Sequence, residues 1–172
     1  MIIRQFEPDD FQDILLIEME AFSEHNPFLY INFYELNRDY FLVAQVGGSV
    51  VGYVVGYQLT ENEGRIFSIA VKDEYKNCGI GTQLLYAIFG VFYRSAFQYV
   101  SLEVRANNTS AQKLYRRLGF VPCWIEEGYY SDGEDGIIMK MRLYPPLFLN
   151  VLKIKEEVVP TRHEPAKILN FF

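Results

Sequence analysis

Apolar and polar positions follow two different periods along the chain, and the switches between them mark its elements. Leu84, Leu85, Ile88, Phe89 and Phe92 recur at i, i+1, i+4, i+5 and i+8, the spacing of one buried helix face. Directly before that helix, Ile66-Phe67-Ser68-Ile69-Ala70-Val71 has the apolar, β-branched character of a strand. At the N-terminus, residues 1–6 predict a strand. Pro8-Asp9-Asp10 then opens a helix, because proline fits a first turn and carboxylates favour its positive end. Phe11, Ile14, Leu15, Glu18, Ala21 and Phe22 form one stripe of that helix, which is expected to end near Ser23.

The runs at 40–46 and 50–58 flank Gly47-Gly48-Ser49, a hairpin signal, and a third run at 65–71 completes an antiparallel group of three strands. Residues 99–104 alternate as a strand does, and residues 109–118 predict a helix closed by Gly119. The runs at 120–125 and 136–143 close the pattern as strands. The order is therefore strand, helix, three strands, helix, strand, helix, strand, strand, a mixed α/β class. Such an order discloses no chemistry by itself.

Composition narrows the possibilities. With 172 residues, 50% hydrophobic and 16% aromatic, the chain fits one domain with ample material for a core. A net charge of -6 argues against nucleic acid as a partner, since phosphate backbones need clustered Lys and Arg. Cys78 and Cys123 have no metal-like spacing, and His25 and His163 have no metal-site company, so no metal is expected. No stretch reads as a signal peptide or as eighteen uninterrupted apolar residues, and the expectation is a cytoplasmic protein without membrane association.

The candidate chemistry begins at Tyr75-Lys76-Asn77-Cys78-Gly79-Ile80-Gly81-Thr82, between the strand at 66–71 and the helix after it. Glycine lets the backbone turn without a Cβ clash, and a helix N-terminus offers unpaired N–H groups and partial positive charge to an anion. A P-loop is excluded because Gly81 is followed by Thr82-Gln83, and a dinucleotide fingerprint because Leu84 stands where its third glycine belongs. An ordinary strand-to-helix turn matches these residues as well as a phosphate cradle does.

More specific is the run Leu102-Glu103-Val104-Arg105-Ala106-Asn107-Asn108-Thr109-Ser110-Ala111-Gln112-Lys113-Leu114-Tyr115-Arg116-Arg117-Leu118-Gly119-Phe120. With Ser68-Ile69-Ala70-Val71, the glycine junction and Tyr129-Tyr130-Ser131-Asp132-Gly133-Glu134-Asp135, it resembles the Gcn5-related N-acetyltransferase (GNAT) superfamily. The likeness is greatest to the branch that acetylates protein N-termini, which includes the RimI-type ribosomal-protein alanine acetyltransferases of bacteria and the Ard1-type enzymes of archaea and eukaryotes. It covers residues 2–143, so a domain at 1–143 is expected, with a C-terminal extension at 144–172 that packs on it as a short amphipathic helix.

The resemblance implies a mostly antiparallel sheet, flanked by helices and splayed where acetyl-coenzyme A lies between the strands at 66–71 and 99–104. The pantetheine arm would pair with backbone at Ile69, Ala70 and Val71. The pyrophosphate would rest on N–H groups of Cys78, Gly79, Gly81 and Thr82, bordered by Lys76, Asn77 and Ile80. The family shows Arg or Gln at the place of Lys76. Asn108 would face the cofactor, and it also reads as a helix cap.

Tyr115, which composition alone makes a core tyrosine beside Leu114 and Leu118, takes the role of general acid toward the departing thiolate. Glu103, opposite in facing to Leu102 and Val104, takes that of general base; otherwise it is a solvent-facing strand residue. Some relatives carry a histidine near the place of Arg65. Phe22, Tyr129 and Tyr130 would grip the acceptor, with Phe28, Tyr30 and Phe33 in the other wall. Glu126, Glu127, Asp132, Glu134 and Asp135 either draw basic peptides or are simply solvated.

The implied reaction moves acetyl from acetyl-coenzyme A to the α-amino group of a protein or peptide N-terminus, by direct attack in a ternary complex. Amine chemistry agrees with that acceptor. An α-amino group near ~8 is about a tenth neutral at pH 7, against one part in a few thousand for lysine near ~10.4. Ribosomal proteins are candidate carriers, and the enzyme is expected as a monomer or weak homodimer. The alternatives are a lysine or small-molecule amine as acceptor, or a non-catalytic acyl-coenzyme A sensor.

Overall fold

The structure is a computed structural model, and it describes residues 1–22 and 27–144. The chain opens with β1 (Ile2–Gln5), a 3-10 turn (Pro8–Asp10), α1 (Phe11–Ala21) and α2 (Pro27–Asn37). A meander follows: β2 (Phe41–Val46), β3 (Ser49–Thr60) and β4 (Glu63–Val71). Then come α3 (Ile80–Arg94), β5 (Tyr99–Arg105), α4 (Thr109–Arg117), β6 (Val121–Glu126) and β7 (Gly136–Arg142).

The seven strands form one sheet in the order β1-β2-β3-β4-β5-β7-β6. Neighbours are antiparallel except β4 and β5, which run parallel and pair only from Glu63↔Tyr99 to Ile66↔Leu102. Beyond that point no ladder joins them, so residues 67–71 of β4 present a free backbone edge toward β5. The sheet is thus split on one side of its centre.

The two faces of the sheet carry separate cores. On one, Leu84, Leu85, Ile88, Phe89 and Phe92 of α3 pack on Leu102, Val104 and Met139, as the helical stripe predicts. On the other, Ile14 and Ile17 of α1 and Tyr30 of α2 cover Phe41, Val43, Tyr53 and Val55. Leu102 and Val104 point into the α3 core and Glu103 faces away from it, the alternation of a strand.

Three local expectations are corrected. The helix opened by Pro8 is first a 3-10 turn, locked by a reciprocal bond pattern between Glu7 and Asp10, while Arg4 holds the Asp10 carboxylate at 2.6 and 2.7 Å. Ile17, outside the expected stripe, is fully buried, whereas Phe22 leaves the helix in an extended conformation and is 40% exposed. The segment after Phe22 contains α2, which the sequence pattern did not announce. The side chains of Phe28 and Phe33, together with His25, His163 and the extension at 145–172, lie outside the described residues.

Candidate active site

The site gathers around the split between β4 and β5. At its α3 end, Asn77 and Gly79 both have positive φ, 62° and 80°, which turns the chain sharply from β4 into the helix. The first backbone bond of the helix runs from the Gln83 N–H to the Gly79 carbonyl at 3.1 Å. Among the described residues, the N–H groups of Ile80, Gly81 and Thr82 therefore lack a backbone acceptor, and no side chain caps them. The Ile80 side chain is buried in the α3 core, so its contribution at this edge is limited to backbone. Cys78 is exposed and Lys76 pairs with Asp73 at 2.5 Å in solvent, so the cradle's positive character comes from backbone dipoles. Ala70 is buried under α1, and Ile69 and Val71 lean on the α3 core, with their β5-side backbone edge unpaired.

At the other end of the split stands Glu103. Its carboxylate Oε1 accepts from Arg65 of β4 and from the Tyr129 hydroxyl, the latter at 2.7 Å. Its side chain is only 13% exposed, so the solvent-facing reading is set aside in favour of a paired carboxylate. Burial alone lowers the proton affinity of the Arg65 guanidinium, and the facing Glu103 charge overrides it, holding Arg65 above its ordinary value.

Tyr129 and Tyr130 meet edge to face, with ring centroids 5.1 Å apart, in the β6–β7 connection. The Tyr129 ring lies directly on β7: a Cβ at Gly136 would come within 2.9 Å of it, so glycine at that position sets the ring's seat. Arg105 braces the same connection. It stacks over the Tyr130 ring at 3.9 Å and bonds Asp132 and Glu134, each at 2.8 Å, so two of the loop's acids are tied down rather than free. Glu134 also accepts from the Asn107 N–H at 2.8 Å, fastening the loop to the end of β5.

Tyr115 of α4 is 8% exposed, and no described residue hydrogen-bonds its hydroxyl. Burial, with a smaller contribution from Tyr130, pushes its pKa up to about 12, so the phenol keeps its proton throughout the neutral range. Asn108 caps α4 by accepting from the Ala111 N–H at 3.0 Å. Gln112, one turn before Tyr115, is buried and donates to the carbonyls of Arg105 and Ala106 at 3.2 and 2.9 Å, which ties the helix to the end of β5. Sequence reasoning gave no role to Arg65, Arg105 or Gln112. Each acts through a partner set by the fold, and Arg105 and Gln112, unlike Arg65, lie in a run that was singled out.

Among the described residues, no group of three His, Cys, Asp or Glu side chains is placed to hold a metal ion, and no helix is long and apolar enough to cross a membrane.

A sheet split between two parallel strands, with an uncapped glycine-turned helix beside it, defines a class, and comparison with known proteins gives the same class. The sequence matches the Acetyltransferase (GNAT) family over residues 5–120. It is 39% identical over 141 residues to an uncharacterized N-acetyltransferase of Methanocaldococcus jannaschii, covering 81% of this chain and 90% of that one. It is 35% identical over 154 residues to an N-alpha-acetyltransferase of Sulfurisphaera tokodaii, covering 80% and 90%. Among solved structures, Ard1 from Thermoplasma volcanium superposes with a TM-score of 0.81 at 30% identity, over 84% of this chain and 98% of that one. The chain belongs to the GNAT family of N-acetyltransferases. Enzymes of this family use acetyl-coenzyme A, and the unpaired N–H groups of α3 and the free β4 edge fit its pyrophosphate and its amide-bearing arm.

Proposed function

We propose that the protein transfers acetyl from acetyl-coenzyme A to the α-amino group of a protein or peptide N-terminus. The observation that carries this reading is the half-buried Glu103 carboxylate, tied to Tyr129 of an aromatic pair and lying across the strand split from the glycine-turned helix. A carboxylate is a modest base, matched to an amine that is already partly neutral near pH 7. Ribosomal proteins are one class of carrier. Two free cysteines, Cys78 and Cys123, suit a reducing compartment, and we place the reaction in the cytoplasm.

In this account Cys78, Gly79, Gly81 and Thr82 hold the pyrophosphate through backbone N–H groups, with Lys76, Asn77 and Ile80 shaping the rim. Ile69, Ala70 and Val71 hold the pantetheine arm through their backbone edge, and Asn108 lines the cofactor while capping α4. Acetyl-coenzyme A, when bound, would supply the acetyl thioester and leave as the thiolate, which takes its proton from solvent. Glu103 takes the amine's proton, directly or through one water. Tyr115 offers its hydroxyl to the departing sulfur. A phenol near 12 is a weaker acid than a thiol near ~8.5, so complete transfer runs uphill and Tyr115 acts chiefly as a positioned hydrogen-bond donor. Tyr129 and Tyr130 hold the first residues of the acceptor from one side and Phe22 from the other.

A peptide library varied at its first two positions tests this, each member made with a free and with a blocked α-amine. Transfer that requires the free α-amine is the expected result. Transfer to blocked peptides through lysine overturns the acceptor, and no transfer to any amine leaves a cofactor-binding sensor.

A further inference from the structure

The β4–β5 ladder ends at Ile66↔Leu102, and the residues on either side of that last pair are Arg65 and Glu103. Their ion pair therefore spans the point where the two strands part. Both of Glu103's donors, Arg65 and Tyr129, fall on Oε1, and among the described residues Oε2 accepts from none. Arg65 in turn spends one nitrogen on Glu103, while its buried Nε has no partner among the described residues.

That arrangement bears on a conflict in the chemistry. A lone carboxylate beside an amine stabilises the ammonium form, which has no lone pair and cannot attack. A guanidinium on the same carboxylate cancels most of that field. Resting on the assignment of Glu103 as base, we propose that Arg65 is a positioning residue that acts through Glu103. By occupying Oε1 alongside Tyr129, it leaves Oε2 to take the acceptor's proton, and by its charge it keeps the carboxylate from trapping the acceptor as an ammonium ion.

The other titratable and charged groups around the pair are accounted for. Tyr57 of β3 and Tyr129 are held above the ordinary phenol value by burial first, and Tyr130 is pushed up to about 12, so all three stay neutral near pH 7. Glu63 of β4 is ion-paired with Lys140 of β7 at 2.6 Å, and Arg105 is engaged by Asp132 and Glu134. Opposite Glu103 on β7 sits the apolar Ile138.

The test is the pH dependence of kcat and KM for a peptide with a free α-amine, measured on the wild type, Arg65→Gln, Arg65→Lys, Glu103→Gln and the Arg65→Gln/Glu103→Gln double variant. Losing the positive charge moves the rising limb of kcat upward by about one pH unit in Arg65→Gln, with peptide KM unchanged or lower. That shift corresponds to a loss of about tenfold in kcat at pH 7. Arg65→Lys, which keeps the charge, holds the limb near its wild-type position. In the Glu103→Gln background the Arg65→Gln change adds less than about twofold, because the residue through which Arg65 acts is gone. A slow Glu103→Gln enzyme combined with an unmoved Arg65→Gln limb overturns this inference alone, as does an Arg65→Gln effect that persists without Glu103, or a limb in Arg65→Lys displaced as far as in Arg65→Gln. A Glu103→Gln enzyme at the wild-type rate removes the base assignment itself, and the inference with it.

Discussion

The two ends of the strand split are made of different materials. The α3 end is backbone: unpaired N–H groups, two positive-φ residues and an exposed lysine already paired in solvent. The Glu103 end is side chains drawn from β4, β5 and the β6–β7 connection, each held by another. Backbone can bind a phosphate group without adding charge to the protein, which is how a chain of net charge -6 accommodates an anionic co-substrate. Proton chemistry at the other end needs side chains whose charge is set by neighbours. The difference predicts that changes at one end alter turnover and at the other alter cofactor affinity.

The largest effect is expected at Glu103. Glu103→Gln retains an acceptor for Arg65 and Tyr129 while removing the base, so kcat falls by about 10²–10⁴-fold with acetyl-coenzyme A affinity, read by calorimetry, unchanged. Tyr115→Phe comes next. Its hydroxyl has no hydrogen-bond partner among the described residues to leave stranded, so the fold tolerates the change, and kcat is expected to fall by about 10²-fold with cofactor affinity nearly intact. Gly79→Val acts on the other end. Nothing lies within 4 Å of the new Cβ, but φ of 80° costs an L residue about 1–2 kcal/mol, which is expected to weaken cofactor binding by about tenfold with kcat little changed. The smallest effect belongs to Lys76→Ala: it breaks an exposed ion pair worth at most about 1 kcal/mol, and cofactor affinity should move by less than about threefold. A tenfold loss there would show that Lys76 leaves Asp73 for a phosphate and would blur the contrast between the ends.

This contrast also decides what the sequence could reveal. The glycine junction, the Gly47-Gly48 hairpin and the α3 stripe are local, and each is legible because a few neighbouring residues determine it. α2 was missed because its described apolar residues Tyr30, Ile31, Tyr34 and Leu36 do not keep to one face, leaving no periodic stripe to find. Glu103 was legible as an oddity, a carboxylate in an apolar strand, but its partner was not. Arg65 lies 38 residues away, and only the parallel register of β4 with β5 brings the two together. Likewise Arg105 reads as one more charge in a motif until the loop folds its acids and Tyr130 onto it.

The most direct measurement is to locate the transferred group. A peptide carrying both a free α-amine and an internal lysine is incubated with acetyl-coenzyme A and wild-type or Glu103→Gln protein, and the product is mapped by tandem mass spectrometry. The predicted result is acetyl on the α-nitrogen alone, formed by the wild type and all but lost in Glu103→Gln. Acetyl on the lysine Nζ, or transfer by Glu103→Gln at the wild-type rate, would contradict the account.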